Sequence, residues 1–287
     1  MKKILALLAI ASLFSGCIKN NPDPSWLEIT AWSLEANPNS QYPTGELTQN
    51  FTNAWVYVND QPVGVFELPV RLPLLVDGDA KVTLFPAVLN NGISATKKIY
   101  PFVESYSTNV TLTKNATSVV NPTTRYISYT RFWIEDFEEA SIKITDDASS
   151  IASLTSSGDP SIIQPFNNSK FGRISLDGTE NKWVAFTDDL QLPKAAEVYL
   201  ELDYHNTNSV LTGVLGIGVT GVQENPNIQL NPQATSEVKW KKIYIDLREI
   251  VSNSPNAGYF KVSFQSILDE GLTTGEVNID NVKLVYF

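Results

Sequence analysis

The chain reads as short segments in which apolar and polar positions alternate. In AWVYVND, Ala54, Val56 and Val58 share one face while Trp55, Tyr57 and Asn59 fall on the other, a period of two that predicts a strand ending in an Asn-Asp turn. VGVFELPV and RLPLLVDGDAKVTLFPAV follow, and Asp77-Gly78-Asp79 predicts a hairpin turn between two apolar runs. No segment from Trp26 to Thr113 carries a helical repeat of useful length. Alternation returns in EVYLELDYH, where Val198, Leu200, Leu202 and Tyr204 oppose Tyr199, Glu201, Asp203 and His205. KWKKIYIDL sets Lys241, Ile243, Ile245 and Leu247 against Trp240, Lys242, Tyr244 and Asp246. YFKVSFQS repeats the pattern, and VNIDNVKLVYF is expected as a terminal strand. Strands with one apolar and one polar face build antiparallel sandwiches. The expected fold is therefore all-β: a small β-sandwich over residues 26–113 and a jelly-roll β-sandwich over 130–287. The Thr-, Ser- and Asn-rich stretch 114–129 is expected as a linker between them.

The first residues follow another rule. Lys2 and Lys3 precede an uncharged run from Ile4 to Phe14 and then Ser15 and Gly16, the order of a secretory signal peptide and too short a run to span a bilayer. Phe14-Ser15-Gly16-Cys17 resembles the lipobox of bacterial lipoproteins. The resemblance implies that residues 1–16 are a leader and that Cys17, the single cysteine, is lipidated. Several acyl chains on one residue give a stable anchor, at about 0.8 kcal/mol per buried methylene. Residues 17–25, with two prolines and two asparagines, are expected as a tether. With one cysteine, no disulfide can form within the chain.

Loss of the leader would leave 19 basic against 31 acidic side chains, a formal charge of −12. Such a surface repels nucleic acid and anionic headgroups, so membrane attachment is expected through the lipid. Hydrophobic residues at 43% and aromatic residues at 10% are those of a folded chain.

Catalytic signals are sparse. Gly216 to Gly221, GIGVTG, matches a dinucleotide fingerprint in letters, but the two prolines beyond it deny it the required helix. His205 is the sole histidine, which excludes a His/Cys zinc set and leaves no supported Ser-His pair. The carboxylate doublets Glu138-Glu139, Asp146-Asp147 and Asp188-Asp189 point to opposite faces if they lie in strands, so none supplies a glycosidase pair by adjacency. No catalytic residue set is expected. Binding is better served: aromatic rings stack on apolar sugar faces while acids and amides fix orientation. The polar faces of the two central strands offer Tyr199, Glu201, Asp203, His205, Trp240, Lys242 and Tyr244 as a candidate ligand surface.

The order VYVND, VGVFELP, VDGDAKVTLFP resembles, over about 60 residues, the small Ig-like (PEGA-like) β domains of Bacteroidetes surface lipoproteins. EDFEE, LELDY, WKKIYIDL and IDNVKL resemble, over about 155 residues, the C-terminal domains of such lipoproteins and the galactose-binding-like jelly roll of carbohydrate-binding modules. That resemblance implies a structural calcium held by Asp136 or Glu138 together with Asp280. It also implies a non-catalytic lipoprotein of the outer membrane and the cell surface that binds or presents a glycan or protein ligand. Two alternatives stand beside it: an accessory subunit of an outer-membrane complex for transport, secretion or assembly, and a polysaccharide-degrading enzyme.

Overall fold

The computed structural model describes residues 22–160, 163 and 169–287; the leader and Cys17 lie outside the described residues. In the first unit a three-stranded sheet places Ser25–Ile29 between Val70–Leu74, antiparallel to it, and Thr117–Val120, parallel to it. A second sheet is built on the long strand Gly78–Leu89, which pairs with Asn53–Val58 along one side and with Lys97–Ile99 and Tyr106–Leu112 along the other. Gln61–Glu67 closes that sheet as a hairpin partner of Asn53–Val58. Asn59 and Asp60 turn this hairpin with φ of 50° and 61°, where the sequence predicts a turn. The apolar faces meet through Leu27 and Ile29 of one sheet and Val56, Val82 and Leu84 of the other.

The structure departs from three expectations here. Asp77-Gly78-Asp79 does not close a hairpin, because the strand before it pairs with Ser25–Ile29 and the strand after it with Asn53–Val58. The chain crosses between sheets at this point, with Gly78 at φ 95°. Nor are residues 114–129 a linker. Thr117–Val120 and Thr123–Thr124 are ladder strands of the first unit, and Val120, Thr124 and Tyr126 are buried in it. Parallel pairing with a segment some ninety residues earlier leaves no local turn signal, and an edge strand needs only one apolar side. Ser25, expected in the tether, is likewise ordered: its hydroxyl donates to the carbonyls of Leu74 and Val76.

The second unit is a two-sheet jelly roll. One sheet runs in the order Thr155–Ser157, Phe171–Asp177, Thr274–Tyr286, Val198–Asn206, Lys241–Asp246, with Arg131–Glu135 also pairing with the long last strand. The other runs Ile144–Asp146, Lys182–Thr187, Tyr259–Ile267, Val210–Gly218, Gly221–Leu230. Consecutive strands repeatedly change sheets, which places both apolar faces inward: Leu200, Leu202 and Ile245 meet Trp183, Val262 and Phe264. GIGVTG forms the end of one strand, a tight turn and the start of the next. A Cβ on Gly218 would collide with the carbonyl oxygen of Asn256, so the small residues serve close backbone packing. One bulge sets which polar side chains stand side by side on the larger sheet. Asn281, at φ 47°, and Val282 stand opposite Leu202, so that Glu201 pairs with Lys283 and Asp203 with Asp280.

Candidate functional site

The outer face of the six-stranded sheet is where the seven candidate ligand residues are expected to meet solvent. Instead the first unit covers most of it. Tyr199, Tyr244 and Val285 pack into the first unit's core, beside Phe51, Tyr100 and Phe102. Glu201 is fully buried, and its carboxylate accepts from Tyr100 Oη at 2.5 Å and Tyr126 Oη at 2.8 Å, both from the first unit. Lys242 Nζ stands 3.0 Å from Glu201 and donates at 3.0 Å to Thr48 Oγ1, which donates at 2.6 Å to Asp203. Lys283 Nζ reaches the carbonyls of Thr44 and Glu46. The period of two therefore identifies the polar face correctly and its surroundings wrongly: Tyr199 and Glu201 are covered by protein and are not open to a ligand.

The electrostatics fit that cover. Burial opposes the charge on Glu201, but Lys242 and Lys283, with the Tyr100 hydroxyl, outweigh it and hold the carboxyl below its ordinary value. Burial likewise opposes the Lys242 charge, and Asp203 and Glu201 hold its pKa above the usual lysine value. Lys283 has less carboxylate compensation and Lys242 as a neighbour, so burial brings it down to about 8. Burial, reinforced by Glu201, keeps Tyr100 and Tyr126 protonated and able to donate.

At the edge of the covered area the two units leave a cleft of about 520 Å³. Four of the seven candidates line it: Asp203, Trp240, Lys242 and Tyr244. Its floor is the edge strand Lys241–Asp246, and its far wall comes from Thr48, Gln49 and Asn50 of the first unit. Asn50 is fixed twice, its backbone N–H donating to Tyr244 Oη at 2.9 Å and its side-chain amide to the Lys242 carbonyl at 3.1 Å. Farther along the same strand, Asn91 N–H donates to the Tyr244 carbonyl, which closes that end. Trp240 is half-buried, its ring 5.6 Å from Phe171 and 5.7 Å from His205. Tyr204 and Lys239 complete the opening. Tyr204, Gln49 and Asn50 are absent from the expected set. Tyr204 falls on the apolar side of its strand, and the other two reach the cleft only through contacts between units.

His205, expected in water, is half-buried beside Trp240, and burial lowers its pKa. Of the expected calcium ligands, Asp136 and Glu138 lie near enough to Asp280 for their charges to act on its carboxyl. Among the described residues no three His, Cys, Asp or Glu side chains form a metal-sized group. Asp136 accepts from the Glu138 N–H, and Glu138 accepts from the Lys170 N–H. Asp280 is buried beside Asp203, and burial, with the charges of Asp203, Asp136 and Glu138 adding to it, pushes its carboxyl up to about 8.

Neither a family model nor a curated protein matches the chain. Among solved structures it is similar to a carbohydrate-binding module of the β-sandwich superfamily, at 11% identity over 81% of this chain and 84% of that one, with a TM-score of 0.38. It is also similar to the family 11 carbohydrate-binding module of a Clostridium thermocellum cellulosomal cellulase, at 13% identity over 55% and 95%, with a TM-score of 0.36. The enzymatically active domain of a bacteriophage CBA120 tailspike is similar at 13% identity and a TM-score of 0.38; 53% of this chain covers only 20% of that one. At these values the fold class stands on the strand pairings themselves.

Proposed function

We propose that the chain is a non-catalytic lipoprotein, anchored through Cys17 in the outer membrane, that binds a glycan in the cleft between its two units. The observation that carries this reading is the composite cleft. Trp240, half-buried at the cleft, offers ring surface for the apolar side of a sugar, and the exposed Asn50, whose amide nitrogen also donates to the Lys242 carbonyl, adds a polar group on the first unit's wall. The lysines at the mouth, Lys239 and Lys241, favour a glycan bearing carboxylate or sulfate groups. The acid in the wall argues for binding over hydrolysis. Asp203 is taken up by Lys242 and Thr48, and glycoside hydrolysis needs two available carboxyl groups across one bond. Membership among Bacteroidetes surface lipoproteins, with an Ig-like first unit, belongs to the same proposal and rests on the sequence resemblance.

The test uses the full chain in detergent against a panel of neutral and acidic polysaccharides, followed by native electrophoresis in polymer-containing gels. Trp240→Ala is expected to weaken retardation by an acidic polymer by about tenfold while the chain still unfolds cooperatively, with a midpoint lowered only by the loss of its packing on Phe171 and His205. Cys17→Ser is expected to move the protein from the membrane to the soluble fraction while leaving retardation intact. Polymer shortening during incubation, or unchanged retardation of Trp240→Ala, would refute the reading.

A further inference from the structure

The five-stranded sheet of the first unit has an outer face that takes no part in the cleft. On Asn53–Val58 the residues Trp55 and Tyr57 point away from the core, and on Gly78–Leu89 so does Phe85. Strand register sets Trp55 directly opposite Phe85 and Tyr57 opposite Thr83. The Tyr57 and Phe85 rings meet edge to face at 5.5 Å. All three rings are half-buried. Beside them lies a hollow of about 480 Å³, with Tyr57, Phe85 and Ile99 as its apolar part.

Its polar part is unusual for a hydrophobic docking patch. Thr83 and Ser107 hydroxyls stand 3.0 Å apart along one wall, and Ser105 adds a third hydroxyl. Among the described residues the only charged side chains lining the hollow are Asp60 and Lys81, which neutralise each other at 3.2 Å. A site with adjacent rings, hydroxyls at its rim and no net charge complements a ligand with an apolar face and equatorial hydroxyls. It offers little to an anion, a cation or a long aliphatic chain. The geometry points to a second carbohydrate site, for a neutral pyranose chain, on the outer face of the first unit. One ring of the sugar stacks on the face of one of these two aromatic rings, Tyr57 and Phe85, and meets the edge of the other, since their planes lie 75° apart, while its hydroxyls exchange hydrogen bonds with Ser105, Ser107 and Asp60. The two sites lie on different parts of the molecule, so a polymer able to reach both is held more tightly than by either alone.

This second site is independent of the cleft, and the experiment keeps the two apart. Full-length protein in detergent is run through native gels containing a neutral glucan, mannan or xylan, one polymer per gel, with Trp240→Ala as the background that removes the cleft. Trp240→Ala is expected to remain retarded by at least one neutral polymer. Adding Tyr57→Ala is expected to cut that retardation about tenfold. Adding the exposed-site change Ser107→Arg, which fills the hollow and leaves every ring in place, is expected to do the same. Absence of retardation of Trp240→Ala by every neutral polymer overturns the second site, whatever the cleft does. So does retardation unaffected by both hollow variants, or a concentration-dependent doubling of mass that Ser107→Arg abolishes, which would make the face a contact between two copies of this chain.

Discussion

Glu201 shows how far a single residue can be read. Its alternation with Leu200 and Leu202 puts it on the polar face, and that is how the strand is built. What the alternation does not reveal is that Tyr100, Tyr126, Lys242 and Lys283 surround it and that it is fully buried. A buried carboxylate among two lysines and two phenols is held by charge balance, and removing one partner leaves the others uncompensated. Glu201→Gln is therefore expected to destabilise the protein by about 3–5 kcal/mol in chemical denaturation. An unchanged midpoint would show that water reaches this network. Asp280 makes the opposite contribution. Its folded pKa of about 8 lies above the model-peptide value, so the folded state favours the protonated form. The associated stability is fully present below about pH 4 and is lost as pH rises toward about 8. Asp280→Asn is thus expected to match the wild type near pH 4 and exceed it progressively up to pH 8, by about 2–4 °C in midpoint for each kcal/mol, with chelator present throughout. Parallel melting curves for the two proteins across that range would exclude the shift.

At the scale of the element, the most legible strands are those with one face on their own core. Tyr259–Ile267 alternates buried and half-buried positions, and Val198–Asn206 and Lys241–Asp246 send alternate residues to their own core and to the first unit, because period two is set by the backbone pleat and needs no knowledge of the partner strand. Thr117–Val120 reads as linker because its parallel partner, Ser25–Ile29, lies far away in the chain and its outward residues carry no strong alternation. Asp77-Gly78-Asp79 reads as a hairpin because a turn signal specifies a change of direction and leaves the sheet of the next strand open. The candidate site divides the same way. Trp240 and Lys242 are legible as polar-face residues near one another along one segment, whereas Gln49 and Asn50 enter the cleft only through the packing of one unit on the other. Local pattern tells which way a side chain faces; it does not tell whether another part of the chain covers that face.

For the molecule as a whole, cover decides the domain question. The second unit has its own two-sheet core, but the outer face of its larger sheet carries Tyr199, Tyr244 and Val285 as members of the first unit's core, with Glu201, Lys242 and Lys283 among them. Cut free at residue 130, that face would expose apolar rings to water and leave Glu201 without the Tyr100 and Tyr126 hydroxyls and Lys242 without Thr48. Both losses act in the same direction, since apolar burial and the satisfaction of buried charges are each supplied by the first unit. The full chain is accordingly expected to unfold in one cooperative transition, the same by tryptophan fluorescence and by far-ultraviolet circular dichroism. Residues 130–287 expressed alone are expected to aggregate or to melt well below the intact protein. A separate 130–287 fragment that stays monomeric and unfolds at the midpoint of the full chain would mean that the contact between the units adds nothing to the stability of the jelly roll. The cleft would then join two bodies that fold independently, and its walls could move apart without unfolding either one. A cleft held open by one cooperative unit instead keeps Trp240 and Asn50 at a fixed separation before any ligand arrives, which lowers the ordering cost of binding.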